Sequence, residues 1–400
     1  MFCLKQRLEH GEQQKIKSHA RHAAAEIIER GIERGFFFIP KLQRGQRGLK
    51  MYKTIALFNH KGGVSKTTTT FHLGWMLAEK GYRVVMIDTD PQCNLSGLVI
   101  DYDSSKEFDS FYSDHPNANI KTALAPAFES QPKPIETIEC VEATGRSGLF
   151  LVPGHVNLSE YEVTLGIAQE LSGSIQALKN LPGAFHFFVQ QMATAQKADY
   201  VLIDMSPSLG AMNQNILMTS DYFLVPTAPD YFSVMAIDSL SNILPKWIEW
   251  AKKAANAEVF KSANYPFPEF SLKFLGTVIQ RYRPRQSKPT VGFQKWIDQI
   301  NSGVVSRLAP ALKKHGAILS STIYKAANVN ESMGYCLSEI PDFNSLITAS
   351  QNHQTPVFAL TEDMLGHVGT VLDQDIKKRD EFRNTFDTLV NRIITLTNHE

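Results

Sequence analysis

The sequence predicts an α/β fold: a mostly parallel, twisted sheet with helices on both faces. Three observations predict it. Short apolar runs such as "IALF", "VVMI" and "YVLI" carry no polar interruption, as strands buried on both faces do. Segments of helical period separate them, so successive strands are joined by crossovers. The chain has 400 residues, 43% of them hydrophobic, which suffices for one large α/β domain or two small ones.

Taken in order, residues 53–58 form a buried strand and 66–80 a helix, with Gly81 where a C-cap glycine belongs. Further strands are expected at 83–88, 148–152, within 200–210, within 222–230, at 274–281 and within 333–341. Segments 101–147 and 282–332 are longer polar connections with helical portions. Near the end, Phe382, Phe386, Leu389, Val390, Ile393 and Leu396 recur at helical spacing. A helix in 371–400 is therefore expected to pack on a domain of residues 51–370. There is no internal repeat and no long low-complexity segment.

Residues 1–50 read differently. They hold 11 Lys/Arg against 5 Asp/Glu, a net of +6, whereas the other 350 residues hold 30 against 35. "HARHAAAEIIERGIERG" has Ala23, Ile27, Ile28 and Ile32 near one helical face, and "IPKLQRGQRGLK" is a basic linker. Two readings stand: Met51 is the natural start and the first 50 residues add little to the fold, or they form a basic arm that touches DNA or a partner. The whole chain has a net charge of +1, so no global field favours nucleic acid or membrane. Cys3, Cys93, Cys140 and Cys336 lie far apart, with no C-x-x-C pair to hold zinc or an iron–sulfur cluster within one chain. A reducing, cytoplasmic setting fits them. No apolar run approaches the roughly 20 residues of a membrane span.

The first strand leads into "FNHKGGVSKTTTT". A phosphate cradle needs inward-pointing backbone N–H groups, a helix N-terminus and a lysine. Gly62 and Gly63 supply a backbone free to curl. Lys66 is placed for the β/γ-phosphates and Thr67 for Mg²⁺. Val64, Ser65 and Thr68 complete the loop and the helix start. His60 and Ser65 stand where the common pattern has glycine, and Lys61 stands where it requires nothing. A P-loop NTPase sheet that binds a nucleotide is expected. "VVMID" ends in Asp88, with Asp90 two residues on, and "YVLID" ends in Asp204. Ligands in open α/β sheets sit at the carboxyl ends of strands. These carboxylates therefore suit Mg²⁺ ligation and the positioning of an attacking water.

"KGGVSKTT", "DTDPQ" and "DMSPSLG", in this order, resemble the ParA/MinD family of deviant Walker-A ATPases, closer to its ParA branch. The resemblance runs from about Met51 to Phe358 and includes the weaker "EIPDFNSL" and "SQNHQTPVF". It implies that Lys61 is a signature lysine, reaching the phosphates bound by a partner subunit in a homodimer formed on ATP binding. It implies ATP and Mg²⁺ as cofactors, and slow hydrolysis. Lys66 and Thr67 would hold phosphate and Mg²⁺, Asp90 would orient the water, and Asp88 and Asp204 would support Mg²⁺ and the switch segments. Pro226, Pro229, Asp230, Gln280 and Arg281 would border the adenine, although the family more often has asparagine at the place of Gln280.

The same resemblance implies non-specific DNA binding and a ParB-like partner that triggers hydrolysis. Alternatives are the positioning of another cargo, or a nucleotide-gated adaptor or regulator. For DNA, Arg281, Arg283, Arg285, Lys288 and Lys295 lie in a stretch without acidic residues. MinD-like membrane binding needs a basic amphipathic C-terminal helix, and here Asp380, Glu381 and Asp387 interrupt the basic residues.

Overall fold

A computed structural model describes residues 52–100, 105–170, 176–285 and 288–398. The helix read at Ala23–Ile32 lies outside the described residues, as does Cys3.

The chain forms an eight-stranded sheet. Its strands are β1 (Lys53–Leu57), β2 (Val84–Asp88), β3 (Val141–Glu142), β4 (Leu149–Val152), β5 (Tyr200–Asp204), β6 (Tyr222–Thr227), β7 (Lys273–Tyr282) and β10 (Cys336–Pro341). Across the sheet the order is β10-β7-β6-β1-β5-β2-β4-β3. Every pairing in it is parallel except that of β3 with β4. Seven of the strands fall where apolar runs predicted them. The eighth, β3, is two residues long at an edge and has no apolar run to announce it. A separate hairpin joins β8 (Pro284–Arg285) to β9 (Lys288–Pro289).

Strands β2 and β5 are buried at every residue, which is why they read as continuous apolar runs. Strand β1 lies between β5 and β6, so the strand order turns back at its carboxyl end. In register, Leu57 pairs with Asp204, and Asp204 pairs with Asp88. The ends of three neighbouring strands thus lie in one row beneath the loop that follows β1.

Four helices matter to that loop: α1 (Lys66–Glu79), α2 (Tyr231–Asn256), α3 (Val291–Gly303) and α4 (Gly369–Thr397). Helix α1 is buried at 11 of its 14 residues. It rests on the sheet through Gly74, where a β-carbon would lie 2.9 Å from the Met86 sulfur and 3.1 Å from Leu149. Its other side is covered by α4, whose Phe382, Phe386, Leu389, Val390, Ile393 and Leu396 are all buried. Gly81, at φ +91°, turns the chain out of α1 in the left-handed conformation that a C-cap glycine supplies.

Candidate nucleotide site

The loop after β1 lines a cavity of about 500 Å³. Gly62, Gly63, Val64, Ser65, Lys66, Thr67 and Thr68 line it, together with Asp90, Gln280 and Arg281. Gln92, Asn94, Leu98, Pro207 and the run Pro341, Asp342 and Phe343 also line it, none of them among the site residues expected from sequence. The signal for the last three was the weak "EIPDFNSL" likeness.

The loop turns through two left-handed residues, Gly63 at φ +70° and Ser65 at φ 58°. Gly62 is not one of them, so the curl expected of Gly62 and Gly63 belongs to Gly63 and Ser65. A residue with a β-carbon pays roughly 1–2 kcal/mol in that conformation, which accounts for glycine being the commoner choice at the place of Ser65. Ser65 makes no side-chain cap bond, and the first turn of α1 has no acidic residue. The positive end of the helix therefore faces the cavity uncompensated.

Lys66 is nearly buried. Its Nζ donates to the carbonyls of Asn59 (3.0 Å) and Lys61 (3.4 Å). Burial lowers its pKa, while Asp204 and Asp90 pull it back up. Asn59 was missed from sequence. Besides accepting Lys66 on its carbonyl, it accepts the Lys61 N–H on Oδ1 at 3.0 Å and donates Nδ2 to the Pro226 carbonyl at 2.8 Å. It therefore braces the loop against β6.

The aspartates divide. Asp90 lines the cavity, and its Oδ1 accepts the Gln92 N–H at 3.0 Å. Asp204 is fully buried, and neither carboxylate oxygen has a hydrogen-bond partner of ordinary geometry. Burial first, and then the neighbouring Asp88, push its pKa up to about 8, while the Thr67 hydroxyl and Lys66 act against the shift. A buried carboxylate without a donor, with a hydroxyl and a lysine nearby, suits a hard divalent cation completed by substrate phosphates and water. Among the described residues no group of three His, Cys, Asp or Glu forms an all-protein metal cage.

Asp88 is held by its own loop. Its Oδ2 accepts the Ser96 N–H (2.8 Å) and hydroxyl (2.7 Å), and the Ser96 Oγ in turn accepts the Gly154 N–H at 2.8 Å. Burial pushes the Asp88 carboxyl up to about 6, against these bonds. Asp88 fixes the loop beyond β2 and, like Asp204, lies fully buried behind the cavity wall.

The residues expected to border the adenine divide. Pro226, Pro229 and Asp230 do not line the cavity. Asp230 caps α2, its Oδ1 accepting the Ser233 N–H at 2.9 Å, and its Oδ2 pairs with the Lys61 ammonium. Lys61 Nζ also donates to Ser233 Oγ at 3.1 Å. A lysine one residue from the cavity wall is thus turned away from its own cavity. Gln280 and Arg281 do line it. Gln280 Nε2 donates to the Thr69 hydroxyl, and Arg281, left-handed at φ 63°, donates Nη1 to the Gly63 carbonyl at 2.9 Å. Arg283 and Lys295 are exposed. Arg285 and Lys288 lie on the β8–β9 hairpin. Cys93, Cys140 and Cys336 are free, with thiol pKa values raised mainly by burial.

The family described as AAA domain matches residues 52–258. An uncharacterised protein of Methanocaldococcus jannaschii is 30% identical over 248 residues, covering 62% of this chain and 78% of its own length. The sporulation initiation inhibitor protein Soj of Bacillus subtilis is 31% identical over 193 residues, covering 48% of this chain and 64% of its own length. The solved structure of pNOB8 ParA bound to nonspecific DNA has a TM-score of 0.52 at 19% identity, over 87% of this chain and the whole of that one. At that identity the likeness concerns the fold.

Proposed function

Because the chain belongs to the ParA/MinD family of deviant Walker-A ATPases, and to its ParA-like members, we propose that it binds Mg·ATP, dimerises on doing so and hydrolyses ATP slowly. The observation that carries this reading is the pairing of two lysines on one loop. Lys66 reaches back along its own phosphate loop, and Lys61 leaves it. A cation that faces away from its own cavity is available to a second site, as an arginine finger supplied in trans is.

In this reading, the amides of the loop and of the first turn of α1 bind the phosphates. Lys66 leaves the Asn59 carbonyl for the β/γ-phosphates, and Thr67 and Asp204 hold the metal ion. When bound, the ion neutralises phosphate charge. Asp90 orients the attacking water. Lys61 of a second copy stabilises charge on the transferring group.

We further propose that the purpose is the partitioning of plasmid or chromosomal DNA, through non-specific DNA binding and a ParB-like partner that speeds hydrolysis. Exposed Arg283 and Lys295, near the β8–β9 hairpin, support the DNA reading. Among the described residues no helix is long and apolar enough to cross a membrane. Size-exclusion of the hydrolysis-impaired Asp90→Ala variant with ATP, with and without Lys61→Ala, tests the mechanism. A Lys61→Ala chain that dimerises and turns over ATP normally would defeat it. Multiple-turnover ATPase with and without DNA separates partitioning from an adaptor role, in which nucleotide binds but turnover is not stimulated.

A further inference from the structure

Asp90 stands on the loop between β2 and the short helix Asn94–Val99. Loops are ordinarily the more mobile parts of a fold, yet this one is bonded at nearly every step. The Thr89 N–H (3.0 Å) and hydroxyl (2.7 Å) both donate to the Asp204 carbonyl at the end of β5. The Asp90 N–H donates to Asp88 Oδ1 at 3.2 Å. The Gln92 N–H closes on Asp90 Oδ1, and the Cys93 N–H on the Asp90 carbonyl at 2.8 Å. Cys93 completes the turn in the left-handed conformation, at φ 53°.

One buried hydroxyl ties this turn to the exit of the neighbouring strand β4. Ser96 is fully buried. Its Oγ accepts the Gly154 N–H, so its single proton is free to go to Asp88 Oδ2. The Ser96 N–H donates to the same oxygen. Asp88 thus takes Ser96 on one carboxylate oxygen and Asp90 on the other. The fit is close: a β-carbon at Gly154 would stand 3.0 Å from the Asp88 Cγ and 3.1 Å from the Cys93 Sγ. From the helix Ser105–Asp114, the Tyr112 hydroxyl donates to the Gly154 carbonyl at 2.8 Å.

We propose that Ser96 is a positioning residue for ATP hydrolysis: it fixes Asp88, and Asp88 fixes the backbone of Asp90 where its carboxylate can orient the attacking water. The inference rests on the role given to Asp90 above and names what aims it. Ser96 lies behind the cavity that Asp90 lines. Phosphate is bound by the loop after β1, whereas Ser96 braces the ends of β2 and β4. Its removal should therefore cost turnover and spare nucleotide affinity. Misplacement of a reacting group by about 1 Å can cost on the order of 10²-fold in rate. A brace that served only the fold would lower stability without acting through Asp90.

Ser96→Ala removes the hydroxyl and changes no charge. In steady-state hydrolysis by the full chain, kcat is expected to fall about tenfold. KM and affinity for a fluorescent ATP analogue should stay within twofold, and half-saturating Mg²⁺ should not move. Tyr112→Phe should lower kcat about threefold by loosening Gly154. Where circular dichroism shows Ser96→Ala unfolded, an unchanged kcat in Tyr112→Phe overturns the inference. The decisive comparison is the double variant. If Ser96 works through Asp90, Ser96→Ala costs less than twofold in the slow hydrolysis left by Asp90→Ala, read as radiolabelled phosphate over hours. An equal loss in both backgrounds makes Ser96 a residue of the fold alone and overturns the inference. So does an unchanged kcat in folded Ser96→Ala, or a shifted Mg²⁺ requirement, which would assign the brace to the metal ion. An Asp90→Ala chain that hydrolyses like its parent overturns the role of Asp90 itself, and this inference with it.

Discussion

His72, on the phosphate-loop helix, accepts the Val357 N–H on Nε2 at 3.1 Å. Its Nδ1 donates to the Thr68 carbonyl at 2.8 Å, which fixes the neutral tautomer. Phe343 stacks on the ring at 5.2 Å, and Phe386 of α4 lies 4.9 Å away. Burial pushes the pKa of this histidine down to about 3.

That shift sets a pH dependence. The unfolded histidine takes up a proton near pH 6.5 and the folded one only near 3, so the unfolded state binds more protons between those values. The stabilisation is complete above about pH 6.5 and falls as pH drops towards 3, by about 1.4 kcal/mol per unit within that window. Urea denaturation from pH 7.5 to 4.5 measures it. His72→Phe should cost about 1–3 kcal/mol at pH 7, because the Val357 N–H loses its acceptor. It should also flatten the acid limb; an unchanged acid limb in that variant would assign the dependence elsewhere.

The left-handed loop residues predict three different costs. Gly63→Ala should destabilise by about 1–2 kcal/mol, since φ +70° excludes a β-carbon without strain. Ser65→Gly should lie within about 0.5 kcal/mol of neutral, because relief of strain offsets the greater freedom of the unfolded chain. Gly62→Ala should be tolerated in the free chain, where the added carbon would stand 3.9 Å from Pro207. Thermal melts of the three variants check the ranking.

Asp204→Asn is expected to separate stability from binding. In the nucleotide-free chain it removes a buried carboxylate that lacks donors, so melting should rise, by about 1 kcal/mol or more in stability. The same change removes the proposed metal ligand, so the extra stabilisation by ADP with Mg²⁺ over ADP with a chelator should disappear. A variant that melts lower without nucleotide would show that Asp204 has a partner in the free chain.

At the far end of α1, Arg383 grips Glu79 with Nη1 at 2.7 Å and Nη2 at 2.6 Å, and Arg146 lies 3.5 Å from the same carboxylate. The pair is partly exposed, so Arg383→Ala should cost about 1 kcal/mol or less, and less again in 1 M salt. Hydrogen exchange should rise first in α4. A double-mutant cycle with Glu79→Ala isolates the pair from Arg146.

Much of this was legible in the sequence. Strands buried on both faces betray themselves, as "VVMID" and "YVLID" do, and their terminal aspartates fall at the ligand end because the sheet is parallel. Phe382 and Phe386 announced a core-facing helix by spacing alone. What could not be read was direction. Asp88 and Asp204 have the same local signature, yet the Ser96 N–H and hydroxyl satisfy the first, while the second has no hydrogen-bond partner of ordinary geometry. The resemblance sets Asp230 beside the adenine but says nothing of its carboxylate, which caps α2 with one oxygen and pairs with Lys61 through the other. His72 sat in a run of helical residues with nothing to show that Val357 would find it.

The first helix described is completed by the last. Lys80 pairs with Asp387 and Glu79 with Arg383 across more than 300 positions of chain. During synthesis the phosphate-loop helix emerges long before Phe386, so its outer side stays wet and sticky while most of the chain is still being made. Folding that waits on such distant contacts is slow and exposed to aggregation. A nascent chain of this kind is a natural client for chaperones, and nucleotide binding should appear late in refolding, together with protection of α4.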